Sequence, residues 1–260
     1  MLIKTLFTLL AAGCCFCGAA QVKKKIKKSR RNKSESRFAL AAKDAQVEWE
    51  TGYETFDAGL ATVAYPNMVL HYGISNRTEV NTEVSLVTAI DKTVISQKNT
   101  TGIEPLMAGF NYLLRKEGSK GPAVIAAVQI AIPFLASANF TASHFAPALQ
   151  LDIQQPITKK LTSGFTPGLF WDGFTTTPSY TYSLNMNYQP VNKWVLTTEL
   201  FGFINHELPQ HSIDAEVDYN INKQWQLGVT GGVGISSAAH KSYFAFNGSY
   251  GFNTARKKHT

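Results

Sequence analysis

His211-Ser212-Ile213-Asp214-Ala215-Glu216-Val217-Asp218-Tyr219-Asn220-Ile221 is the stretch on which the fold turns. Its even positions are all polar and its odd positions mainly apolar. Successive side chains of a β-strand point to opposite faces, so this segment is a strand with one wet and one greasy side. The pattern continues downstream. Trp225, Leu227, Val229, Gly231, Val233 and Ile235 alternate with the small or polar Gln226, Gly228, Thr230, Gly232 and Gly234. Upstream, Tyr180, Tyr182, Leu184, Met186 and Tyr188 alternate with Thr181, Ser183, Asn185 and Asn187.

Extending the same period outward predicts twelve strands, at 46–55, 60–72, 78–90, 102–114, 122–132, 145–155, 161–171, 178–189, 193–204, 211–221, 223–235 and 242–252. Most are ten to thirteen residues long. Strands of globular proteins average roughly five to six residues, whereas a tilted strand that crosses a bilayer needs about 9–11. The connections alternate in kind. Ile74-Ser75-Asn76-Arg77, Ile157-Thr158-Lys159-Lys160, Val191-Asn192-Lys193 and Ile221-Asn222-Lys223 are short and share an aliphatic, a small polar residue and a base. Arg115 to Gly121 fills the missing place in that series. The connections between them, near 56–59, 91–101, 133–144, 172–177, 205–210 and 236–241, include the longer ones. Short turns on one rim and longer loops on the other are the plan of an outer-membrane barrel.

The ends of the chain differ from this body. Lys4, the apolar run Leu6 to Cys17 and the small residues Gly18-Ala19-Ala20 form an expected secretory signal peptide over 1–20. A lipoprotein signal ending at Cys14 is the alternative. Cys14, Cys15 and Cys17 all lie within it, so the remainder has no cysteine. That excludes a disulfide scaffold, a thiolate metal site and a cysteine nucleophile there. Residues 21–45 form a basic leader, and nine bases against Glu35 give 22–37 a charge of +8. With Lys4 and the basic tail (253–260) also set aside, residues 38–255 carry −5 of a total +7. Phe38 is the first aromatic after the basic run begins, and the body has no basic face, so the leader reads as a solvated segment and no nucleic-acid partner is expected.

The fold expected is an all-β, antiparallel up-and-down transmembrane β-barrel of about twelve strands over 46–252. Hydrocarbon offers no partner to a backbone N–H or C=O, and only closure removes both edges of a sheet. The apolar faces then meet lipid and the polar faces line the interior. Trp49, Trp171, Trp194 and Trp225 are expected near strand ends, where interfacial aromatic girdles form. A soluble sandwich or lipocalin-like barrel, the alternative, would turn the apolar face inward. The sequence also resembles an outer-membrane transporter-like β-barrel family named for the meta-pathway of phenol degradation. The resemblance covers about 46–252. It rests on Val47-Glu48-Trp49-Glu50-Thr51-Gly52, Leu70-His71-Tyr72-Gly73-Ile74-Ser75-Asn76-Arg77-Thr78-Glu79, Gly109-Phe110-Asn111-Tyr112-Leu113-Leu114 and Ile130-Ala131-Ile132-Pro133. The family's acidic, proline-containing stretch before the first strand is replaced here by the basic leader. The resemblance implies a barrel that passes small, often hydrophobic, molecules. The closing alternation Phe244, Phe246, Tyr250 and Phe252 resembles the signal read by the barrel-insertion machinery, an expected partner beside outer-membrane lipid and a small-molecule solute.

The candidate lumen-lining residues are Glu48, Glu50, Glu54, Glu79, Glu83, Asp152, Glu199, Asp214, Glu216 and Asp218. Such a wall favours cations through its field, unless its members are interior polar groups filling a narrow barrel. Alternate residues on a strand lie nearly 7 Å apart, too far for Asp214, Glu216 and Asp218 alone to cage a metal. The six histidines are scattered, with His144, His206 and His240 in or beside loops of one rim. Gly228 to Gly234 lacks the Gly-Lys-Ser/Thr of a phosphate loop, and its glycines read as relief of crowding on an interior face. No Gly-x-Ser-x-Gly nucleophile motif occurs, so neither an enzyme nor a cofactor is expected. The function expected is passive or facilitated transfer of a small solute, hydrophobic or cationic, with loops 91–101 and 133–144 controlling access. A closed structural or adhesive barrel and an outer-membrane enzyme are the alternatives. The location expected is the bacterial outer membrane, with both termini periplasmic.

Overall fold

The computed structural model describes residues 40–56, 60–92, 98–116, 121–204, 209–237 and 239–254. The signal peptide, nearly all of the leader, the end of the tail and parts of loops 91–101 and 205–210 lie outside the described residues. Thirteen strands follow in order: β1 (Asp44–Thr55), β2 (Leu60–Gly73), β3 (Thr78–Asp91), β4 (Lys98–Ile103), β5 (Leu106–Arg115), β6 (Ala123–Ile132) and β7 (Ala146–Pro156). Then come β8 (Leu161–Phe170), β9 (Ser179–Tyr188), β10 (Trp194–Ile204), β11 (Gln210–Asn220), β12 (Trp225–Gly234) and β13 (Ser242–Asn253). All pair antiparallel. β1 pairs with both β2 and β13, and the further pairing of β2 with β3 closes the sheet into a barrel.

The barrel has twelve staves, because β4 and β5 are two halves of one. β4 covers Leu86–Asp91 of β3, and β5 covers Thr78–Glu83. The single strand expected at 102–114 is therefore broken, at Glu104-Pro105. Proline has no N–H for the ladder, and the pairing with β3 lapses between Ile103 and Met107. Glu104 N still donates to Ser85 O at 3.0 Å, which keeps the halves in line. β2 carries a second irregularity. Tyr65 and Pro66 together oppose single residues on both neighbours, a bulge that absorbs the other in-strand proline.

The barrel is apolar outside and polar inside. Leu70, Val84, Phe110, Leu149, Leu184, Met186, Ile213, Val229 and Phe244 are exposed. Asn81, Ser85, Gln150, Thr166, Ser183, Thr197 and Thr230, on the opposite face, are buried. An exposed Leu or Phe forfeits about 1.5–3 kcal/mol relative to burial, so the outer band needs hydrocarbon around it. Aromatic pairs mark the rim with short turns. Trp194 lies 4.8 Å from Tyr219 and Trp225 4.7 Å from Tyr250, between ring centroids. Trp171 follows β8 at the other rim and donates to Thr176 O at 3.2 Å. Trp49 departs from the expected girdle position. It stands mid-strand in β1, edge-on to Phe246 at 5.2 Å, over the bare backbone of Gly248.

The short turns explain their shared sequence. Ile74, Ile157 and Ile221 each donate their N–H to a carbonyl four residues on. Thr158 Oγ1 and Asn222 Oδ1 then accept backbone N–H groups two and three residues ahead. A small polar side chain thus substitutes for the missing backbone partner of a tight turn.

Candidate functional site: an acidic inner wall

All ten candidate carboxylates alternate with outward residues, and so face the interior. Glu79, Glu83 and Asp152 are each 2 % exposed, and Glu199, Asp214, Glu216 and Asp218 are also buried. Glu48 and Glu50 line a small interior cavity of about 60 Å³ together with Asn67, Glu216, Asp218 and Asn247. Every described lysine and arginine stands instead in a turn, in a loop or at a strand end.

Cross-strand register sorts these acids into two groups. On one side, Glu199, Asp214, Gly232, Tyr243 and Glu54 form one row across β10, β11, β12, β13 and β1. Gly232 has no side chain, and a Cβ there would strike the Tyr243 ring. The phenol therefore crosses above Gly232 and donates to Asp214 Oδ2. Ser183 Oγ donates to Glu199 Oε1. One row down, Asn247 donates to Glu216 Oε1 at 3.0 Å and to Thr230 Oγ1 at 3.2 Å. Gly228 leaves the space between Asp218 and Asn247. The glycines of 228–234 that face inward thus relieve crowding, as their alternation implied.

The second group centres on His71, which sequence reasoning left among scattered histidines. His71 Nδ1 is 2.8 Å from Glu79 Oε1, and its Nε2 is 3.7 Å from Glu48 Oε2. Asn111 donates to Glu79 Oε1 at 3.1 Å, and Leu40 N to Glu79 Oε2 at 3.0 Å. Gln46 Nε2 donates to Glu48 Oε1 at 2.7 Å, and Asn67 Nδ2 to Glu83 Oε1 at 3.1 Å. The missed signal was parity: His71 lies between Leu70 and Tyr72 on the polar face of its strand, two residues from the turn that brings β3 back. On the far side Thr166 donates to Asp152 Oδ1 at 3.3 Å.

The rim with long loops is built differently. After β6 a 3-10 turn over Pro133–Leu135 leads the chain across the end of the barrel. Ser137 N donates to Ile103 O, and Ile103 N to Ser137 Oγ, both at 2.9 Å. This covers the edge that β4 presents after the break. Phe140 then turns inward onto Ala64 and Val87, seated over Gly102. Phe201 and Phe203 also face inward here and are buried. Of the three rim histidines, His240 is buried with Nδ1 3.0 Å from Glu54 Oε1, His144 is exposed on its loop, and His206 lies outside the described residues.

A closed antiparallel barrel with an apolar exterior and a polar interior defines the class: this is the fold of the outer-membrane β-barrels. The chain belongs to the family described as "Putative MetA-pathway of phenol degradation", whose profile matches residues 29–252. Among solved structures it is similar to the COG4313 outer membrane channel from Pseudomonas putida F1, with a TM-score of 0.67 and 13% identity over 82% of this chain and 97% of that one. It is also similar to the KdgM porin (TM-score 0.58, 12% identity, 80% of this chain and 99% of that). The NanC porin follows (TM-score 0.54, 9% identity, 78% and 98%). No curated protein matches the chain.

Proposed function

We propose that the protein is a passive or facilitated channel for small solutes in the bacterial outer membrane, and that its lumen favours cations. The observation that carries this is the inner wall itself, where ten carboxylates lie on the interior side of the staves and every described lysine or arginine stands in a turn, in a loop or at a strand end. In a low-dielectric tube such a field concentrates cations and repels anions. Twelve staves spaced about 4.8 Å apart and tilted about 40° give a backbone radius of about 12 Å, between barrels filled by side chains and wide porins.

In this reading the short turns and both termini are periplasmic and the longer loops extracellular. Its support is that, close to the described ends, Thr254 N donates to Lys43 O and Lys43 N to Gly73 O at the short-turn rim. Insertion uses the outward Phe244 and Phe246 with Tyr250 and Phe252 of the closing strand. The molecule acts by holding a path open, and catalysis has no part in it.

The test is the reversal potential of purified protein in planar bilayers under a KCl gradient. A cation-selective current is expected. Bilayers that stay silent, together with liposomes that admit no solute, would leave the closed structural barrel as the better account.

A further inference from the structure

Four short turns pair an exposed aliphatic with an exposed base two or three residues on. These are Ile74 with Arg77, Ile157 with Lys159 and Lys160, Val191 with Lys193, and Ile221 with Lys223. Arg115 and Lys116, which lead into the turn between β5 and β6, are exposed too, as is Lys43 before β1. No strand carries a basic face, and none was expected of the body. Closure makes one, because five connections distant in sequence bring their bases to a single rim.

The asymmetry runs through the whole chain. Of the 25 lysines and arginines, Lys4 falls in the expected signal, and Lys92, Lys98 and Lys241 fall on the long-loop side. The other 21 belong to the leader, the short-turn rim or the tail. The three long-loop bases are matched in the sequence by Asp57, Asp91, Glu104, Asp172 and Glu207. Segments 74–77, 157–160, 190–193 and 221–224 contain no acid. Asp44, at the same rim, is buried and accepts from Asn253 Nδ2 at 2.7 Å. Glu117, the acid of the turn between β5 and β6, lies outside the described residues.

Two of the rim bases are held sideways, along the rim. Lys160 Nζ donates to Pro190 O at 2.8 Å, one turn away. Lys193 Nζ donates to the Tyr219 hydroxyl at 3.3 Å and lies 5.6 Å from the centroid of that ring. It therefore stands at the level of the Trp194–Tyr219 pair, where interfacial aromatics meet headgroups. An outward aliphatic beside such a girdle gains from acyl chains, and a base gains from an anion. A basic side chain serves both by running its stem along the apolar edge. A phospholipid with a net negative headgroup answers both needs at once. A wall polymer answers the charge alone, and the phosphate of a zwitterionic lipid is already neutralised by its own cation. Neighbouring turns stand about 12 Å apart, for staves about 4.8 Å apart and tilted about 40°. That exceeds the Debye length of about 8 Å at 0.15 M, so each turn draws its own headgroup.

We propose that the short-turn rim is a docking surface for anionic phospholipid, one headgroup to each basic turn. With the short turns periplasmic, the leaflet is the periplasmic one. The proposal rests on the membrane-spanning reading of the barrel and not on conduction.

Quenching of tryptophan fluorescence by brominated lipid tests it, on the full chain reconstituted in vesicles of equal parts phosphatidylglycerol and phosphatidylcholine. Trp49→Phe with Trp171→Phe leaves Trp194 and Trp225, both at this rim, as reporters. Bromine is placed on the acyl chains of one lipid and then of the other. Phosphatidylglycerol is expected to be enriched about fivefold beside the reporters in dilute salt, the attraction of one base to an anionic surface, and not at all at 1 M. Lys159→Gln, Lys160→Gln, Lys193→Gln and Lys223→Gln together should remove the enrichment. The corresponding four arginine changes should keep it, and Lys92→Gln with Lys241→Gln on the other rim should leave it unchanged. All variants must show the heat-shifted gel band of the folded barrel; the salt dependence needs no variant. Equal quenching by the two lipids with all four lysines in place overturns the proposal. So does enrichment that survives the four glutamines, which would assign it to the leader and tail. Glutamine-sensitive binding to isolated peptidoglycan without lipid enrichment overturns it too, in favour of the wall polymer. No flux is read, so this proposal and the channel fail separately. Silent bilayers with lysine-dependent enrichment sink the channel and keep the docking surface. Cation-selective currents with equal quenching do the reverse.

Discussion

Gly232 does more for the inner wall than any side chain in its row. Without a Cβ it admits the Tyr243 ring, and the ring places a donor on Asp214, which stands directly across from Glu199. Two carboxylates facing each other on neighbouring strands repel, and a hydroxyl on one of them weakens that repulsion. Gly232→Val should displace the ring and leave Asp214 without it. Overpacking costs about 1–3 kcal/mol and a lost bond to a charged group about 1.5–3. The barrel should then unfold at a lower temperature, read by the band shift on unheated and heated gels, and Tyr243→Phe on its own should reproduce only the bond's share of that loss. Glu79 plays the matching part on the other side, receiving His71, Asn111 and the Leu40 backbone. Glu79→Gln removes the charge and turns one acceptor into a donor facing donors. It should lower the unfolding temperature by more than Asn111→Ala, which removes a single partner; equal effects would mean that Glu79 is held by packing alone.

At the scale of elements, the staves follow the alternation closely, because each side chain of a spanning strand is sorted by lipid or lumen with nothing else to compensate. β11 (Gln210–Asn220) begins and ends within one residue of the expected 211–221. The fourth stave was misread because a period-two pattern survives a break that inserts two residues. Pro105 was the only local mark of it, and its effect depends on how β3 and β6 lie alongside. The ten inward acids were legible from parity. The roles of His71 and His240 were not, since each depends on which carboxylate the closed barrel brings opposite. Loop folding was equally hidden. The sequence marks 133–144 as long, but only tertiary contact turns Phe140 inward over Gly102. Phe140→Ala removes a ring that is 8% exposed, a loss of about 3–5 kcal/mol in a full core and less at a rim. Single-channel recordings should show a larger and noisier conductance, because the loop loses its apolar anchor on Ala64 and Val87 and is left with hydrogen bonds such as those to Ile103 and Gly173. Conductance indistinguishable from wild type would mean that this loop does not constrict the mouth.

For the whole molecule, the formal charge of +7 and the charge of the working surface have opposite signs. The bases cluster at the two ends of the chain, and the acids face inward along the staves. Closure makes this matter. In a flat sheet the row Glu199, Asp214, Glu54 and the nearby Glu216 and Asp218 would face bulk water and be screened by it. Inside a tube whose outer side is hydrocarbon, their field lines stay in the lumen. Asp214 and Glu216 sit on one strand, in adjacent rows, and each accepts from a donor, the Tyr243 hydroxyl or the Asn247 amide, that an amide oxygen at the same place would also accept. The double substitution Asp214→Asn with Glu216→Gln therefore removes two charges with little change of shape. Under a KCl gradient it should move the reversal potential toward zero. The shift should be largest in dilute salt, where the Debye length of about 10 Å at 0.1 M reaches across the bore, and nearly vanish at 1 M, where it is about 3 Å. A reversal potential that stays put in dilute salt would assign the selectivity to Glu79 and Glu83 on β3, across the barrel, and the same measurement on Glu83→Gln would then carry the shift.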